Sequence, residues 1–187
     1  NVLTDEARYK AGKSQMGTFL SNQYLMWRIV SAKSIRKIIL TADEFYTDIL
    51  PEEITQDEDV VNNKIRNGWL YEAMAQSEQA IEDLFSLLKN STDIAYFAKN
   101  VVNYRATEVK NYIWNFKYDD IEYFMEQFKL PFFDLDDAEA WGEHQDVFEG
   151  YKKSVLFMQD YLKRLIQYHK HYYLDYCQYK HGMAVAL

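Results

Sequence analysis

The sequence predicts an all-α fold, an antiparallel bundle of about four to five amphipathic helices. Three observations carry that prediction. The 187 residues include only two prolines and six glycines, the two residue types that most weaken a helix interior. Apolar side chains recur at steps of three and four. No stretch sustains the alternation of a half-buried strand, and there are no internal repeats or low-complexity runs.

The first helical pattern covers 14–46, with Phe19, Leu20, Trp27, Val30, Ile38 and Phe45 at apolar positions and Pro51 closing the connection after it. The second follows Asp57, a plausible cap, and runs through Val61, Ile65, Trp69, Ala73, Met74, Ile81, Leu84 and Leu88 despite Gly68. Ser91-Thr92-Asp93 reads as a capping cluster for a third helix carrying Ile94, Phe97, Val101, Val109, Ile113 and Phe116. A short piece over 119–128 stops before Pro131. The last pattern spans 136–181, too long for an ordinary globular helix, so a break is expected near Gly150 or around 169–171.

Length and composition fit a single helical domain over 1–187. Hydrophobic residues make up 48% of the chain, and a domain of this size buries roughly 70% of its unfolded surface without covalent staples. Cys177 is the single cysteine, which excludes an intrachain disulfide and a cysteine zinc cluster; it reads as a small buried hydrophobe. The most apolar stretch, Tyr24 to Trp27, is interrupted by Arg28 and falls far short of the roughly 18 residues a membrane helix needs. The first residues lack the basic-then-apolar plan of a signal peptide, so a cytoplasmic protein with no membrane partner is expected.

The net charge of −8 argues against a general nucleic-acid coat. Its distribution is uneven. Eight acids and no Lys or Arg occur over 41–60, and seven acids and again no Lys or Arg over 131–150. The segment 151–181 carries six basic residues against two acids, which suggests an anionic partner at that end or a solvated helix face.

Much chemistry is absent. The chain has no Gly-rich phosphate loop and no nucleophile elbow. The residues three before His144, His169, His171 and His181 are Trp141, Ile166, Tyr168 and Gln178, so the Glu-x-x-His pattern of di-iron bundles is missing. Glu78 and Glu82, with Asp83 beside them, read as exposed helix acids. Neither a metal nor a cofactor is expected.

Three of the four histidines fall at 169, 171 and 181, in a segment that ends Tyr176-Cys177-Gln178-Tyr179-Lys180-His181-Gly182. Here the chain resembles the HEPN superfamily, small all-α domains that dimerise, many of them metal-independent ribonucleases of toxin or antiviral systems. Their signature is an Arg, four to six residues, then a His, often followed by Gly near the end of the last helix. Two placements compete. In the first, His181-Gly182 matches the His-Gly at the helix end, and Tyr176 stands where the family has Arg. In the second, Arg164 pairs with His169 or His171, with Leu165 in place of the polar residue.

Metal-free RNA cleavage needs a proton carrier and a phosphate clamp. A His titrates near neutrality, and an Arg supplies permanent bidentate charge. The resemblance therefore implies RNA or a nucleotide as ligand, with His181 as acid–base group, Lys180 and Arg164 on phosphate and Tyr176 as a hydrogen-bond donor. With Tyr176 in place of Arg, such a site either cleaves RNA or only binds it. The alternative is a non-enzymatic interaction module. Tyr172, Tyr176 and Tyr179 share one helical face that suits a helix–helix dimer contact or a wet cleft, and the acidic segments suit a basic protein partner. Lys180-His181-Gly182 also makes sense as a helix end, where basic residues and glycine are favoured.

Overall fold

A computed structural model describes residues 4–22, 26–41, 58–103, 105–131, 135–137 and 139–182. All regular structure among these residues is helical. The elements are α1 (Asp5–Asn22), α2 (Trp27–Leu40), α3 (Glu58–Asn90), α4 (Phe97–Val102), α5 (Ala106–Trp114), α6 (Ile121–Gln127) and α7 (Gln145–Lys180), with short 3-10 turns at Ile94–Tyr96 and Glu139–His144.

The all-α expectation holds, while several boundaries move. The pattern expected over 14–46 is divided, with α1 ending at Asn22 and α2 beginning at Trp27. Phe45, Tyr46, Pro51 and the cap at Asp57 lie outside the described residues. Ser91 and Thr92 do not open a helix. Their hydroxyls donate back to the carbonyls of Leu88 (2.7 Å) and Lys89 (3.1 Å), which terminates α3. The stretch after them, expected as one helix, is a 3-10 turn followed by α4 and α5, with Arg105 extended between the two. In the last segment the break falls at Gly142, whose φ of +51° suits glycine, and not at Gly150 or 169–171. From Gln145 onward α7 is continuous for 36 residues. Its buried face, with Phe148, Val155, Leu162, Ile166, His169 and Tyr176, outweighs the weak helix propensity of Gly150.

The chain divides into two compact units, Asn1–Gly17 with Leu84–Lys170, and Thr18–Asp83 with His171–Leu187. The core of the first is aromatic. Phe85, Phe116 and Phe124 are buried, and the Phe116 ring meets Phe85, Tyr112 and Tyr123 edge-on at centroid distances of 5.6, 5.7 and 5.1 Å. Asp120 caps α6 by accepting from the Tyr123 N–H at 3.0 Å. Gly12 of α1 is buried against the backbone of Ile94 and Ala95, a close approach that only glycine permits.

In the second unit, Arg28 of α2 holds α3 by donating to Asp83 at 2.5 Å and to the Gln79 amide oxygen. Ile35, Ala75 and Ile81 are its buried aliphatic residues among those described.

Candidate functional site: the acid–tyrosine seam beneath the last helix end

Four polar side chains of α3 at four-residue spacing, Glu78, Glu82, Ser86 and Asn90, are buried. Four steps of about 100° return a helix nearly to the same face, so these form one stripe. This corrects the expectation that Glu78 and Glu82 are exposed helix acids, since they are 0% and 2% exposed. For Glu82 the physical reason lies on α7, which brings phenol donors to this side of α3. Tyr176 donates its hydroxyl to Glu82 Oε2 at 3.2 Å, and Tyr179 donates to Glu72 Oε2 at 2.6 Å. The Tyr179 ring also stacks on Tyr71, with centroids 6.0 Å apart.

The seam leaves a mark on the phenols. The Glu72 carboxylate that accepts the hydroxyl of Tyr179 pushes its pKa up to about 12, because ionisation would lose the hydrogen bond and set two negative charges together. Tyr173 is likewise raised to about 12, first by burial, then by its hydrogen bond to Cys177, with the charges of Glu82 and Glu78 adding to the effect. Cys177 itself is half-buried.

The expected site residues therefore have separate fates. Tyr176 is 1% exposed and its phenol points inward to a carboxylate, not outward to a ligand. Lys180 is exposed, with its ammonium 5.5 Å from the Tyr176 ring centroid. His181 lies on the turn that ends α7. Its N–H donates to the Cys177 carbonyl, and the N–H of Gly182, at φ +72°, donates to the Tyr179 carbonyl. That is how a helix closes on glycine.

Arg164 belongs to the other unit and pairs with Asp160 at 2.6 Å on the exposed side of α7. His169, five residues on, is fully buried. Five helical steps set the two side chains about 140° apart, so they do not converge. His171 is exposed, its ring edge-on to Tyr172 at 4.5 Å.

Lys180 thus lies against the ring of Tyr176, whose hydroxyl is bound to the buried Glu82, a carboxylate whose field opposes phosphate binding. Among the described residues, no cluster of three or more His, Cys, Asp or Glu is arranged to hold a metal ion. No helix among them is long and apolar enough to cross a membrane.

Each unit also carries an open cleft, and that of the second unit adjoins the Tyr179–Glu72 pair. One in the second unit, about 610 Å³, is lined by Trp27, Ser31, Trp69, Glu72, Gln76 and Tyr179. One in the first, about 520 Å³, is lined by Trp114, Lys117, Tyr118, Asp119 and Lys170. Beside it Lys110 lies 4.4 Å from the centroid of the Trp114 ring, while Lys163 neutralises Asp119 at 3.1 Å. Sequence reasoning missed this second cleft, although Lys110, Trp114 and Lys117 at three- and four-residue steps were its available signal.

Compared with protein-family models, with curated proteins and with solved structures, the chain matches none.

Proposed function

We propose that this chain is a HEPN-like helical domain that works by association and does not cleave RNA. The observation that carries this reading is the Tyr176–Glu82 hydrogen bond. At the position where the motif has its phosphate-clamping Arg, the side chain is neutral and buried, and it is spent on a carboxylate. An exposed His181 can carry a proton, but Tyr176 brings no fixed charge to stabilise the one that grows on a phosphate in the transition state. In a bacterial defence or toxin-type system, such a domain acts by holding a partner. The exposed apolar residues of α7 support this, since Phe157 and Leu174 are 71% and 73% exposed.

A second reading, RNA or nucleotide binding without cleavage, is favoured by the Trp114 cleft. An indole beside Lys110, Lys117 and Lys170 offers a stacking surface and phosphate partners. Affinity capture of the intact chain from its native cells separates the two. A stoichiometric protein recovered without RNA supports the first. RNA retained by the wild type and lost in Trp114→Ala supports the second. Cleavage of labelled RNA in EDTA that disappears in His181→Ala would sink the non-enzymatic reading itself.

A further inference from the structure

We propose that α7 pairs with α7 of a second copy of this chain, antiparallel, through an exposed stripe formed by Val147, Gly150, Ser154, Phe157, Met158 and Tyr161. This rests on the reading that the domain works by association. The HEPN resemblance implies only that such domains pair; the surface and the register come from the exposure pattern of α7.

Val147, Phe157, Met158 and Tyr161 are 55%, 71%, 37% and 56% exposed. With about 100° per residue, all six positions fall within an arc of about 100° around the helix. The residues that α7 buries in this unit, Phe148, Val155, Leu162 and Ile166, begin only about 40° beyond that arc. The helix is therefore apolar over more of its circumference than its own core covers. Phe157 and Tyr161 stack on each other in the open, 6.4 Å apart and 14° from parallel. An exposed apolar patch of this kind marks a contact surface.

The choice of a second copy follows from the order of residues along the stripe. Bulky side chains occupy its C-terminal half and small ones much of its N-terminal half, so the stripe reversed end for end complements itself. A two-fold axis at Ser154 sets Tyr161 opposite Val147 of the second copy and Met158 opposite its Gly150. Phe157 then falls between the second copy's Gly150 and Ser154. The space above Gly150 is open, since a Cβ built there meets nothing within 4 Å. Gly150 thus leaves a hole for an aromatic knob, and two-fold symmetry fills each hole with the other copy's knob. An unrelated helix would need this spacing by coincidence.

The test is the mass of the intact chain in solution, by light scattering or sedimentation, for wild type, Gly150→Arg and Ser154→Cys. The expected wild-type mass is twice the 22.3 kDa of one chain. Gly150→Arg fills the hole with a charged side chain, and the dissociation constant should rise by about tenfold or more. It puts a better helix former at an exposed site, so unchanged helical circular dichroism and an unreduced melting temperature separate lost pairing from lost folding. Ser154→Cys, on the axis, should form a disulfide-linked dimer on mild oxidation. Wild type, which has Cys177, and Gln167→Cys, away from the stripe, should not. A monomeric wild type, a Gly150→Arg that still dimerises with wild-type affinity, or an unlinked Ser154→Cys would each overturn the proposal. A monomeric mass leaves the non-enzymatic reading standing, and RNA cleavage would end that reading without altering the mass.

Discussion

At the scale of single residues, the account turns on what Tyr176 does with its hydroxyl. It donates to Glu82, and both side chains are almost wholly shielded from water. Taking away the donor withdraws a hydrogen bond from a buried carboxylate, so Tyr176→Phe should cost about 1–3 kcal/mol in urea unfolding. A cost near zero would mean that the bond contributes nothing to the fold. Tyr173 and Tyr179 add a pH dependence whose sign follows from their raised pKa values. Below about pH 10 each phenol is protonated both folded and unfolded. Between 10 and 12 the unfolded chain releases protons that the folded chain keeps, so stability falls as pH rises. Stability measured across this range should decline less steeply in Tyr179→Phe than in wild type. This residue-level picture was only partly legible in the sequence. Glu78 and Glu82 stand four apart like many solvated helix acids, and nothing local to them reveals that a tyrosine some ninety residues later supplies the donor to Glu82.

At the scale of elements, the sequence read helix existence well and helix ends poorly. The apolar period of α3 and α7 is strong enough to survive Gly68 and Gly150. Ends depend on single hydrogen bonds and backbone angles, and these do not show in a periodic pattern. Ser91 and Thr92 have the composition of an N-cap yet close the preceding helix, since a hydroxyl can donate back to a carbonyl as readily as it accepts from an N–H ahead. Glycine is equally ambiguous from sequence. Gly12 and Gly17 lie five residues apart in α1, one beneath the backbone of Ile94 and Ala95 and the other with open space around it. A Cβ at Gly12 would sit 2.6 Å from Ala95 Cα, so Gly12→Ala should destabilise by about 1–3 kcal/mol. Gly17→Ala should stabilise by up to about 1 kcal/mol through helix propensity alone. Parallel thermal melts of the two variants should move in opposite directions, and a shift in the same direction would contradict the packing of α1.

At the scale of the whole molecule, charge and shielding decide what the C-terminal motif can do. The chain carries a net charge of −8, and Tyr176 and Tyr179, just before Lys180 and His181, donate to the acids Glu82 and Glu72. The motif was legible as a string, but its lack of a clamp was not fully so. Tyr176 in place of Arg shows that the charge is gone; only the fold shows that the phenol is turned inward. Incubating labelled single-stranded and transfer RNA in EDTA with wild type and His181→Ala tests the central claim most directly. The account predicts no cleavage by wild type above the level of His181→Ala. Cleavage by wild type that His181→Ala abolishes would show that the helix end is an active site, and the claim that this domain works by association alone would be contradicted.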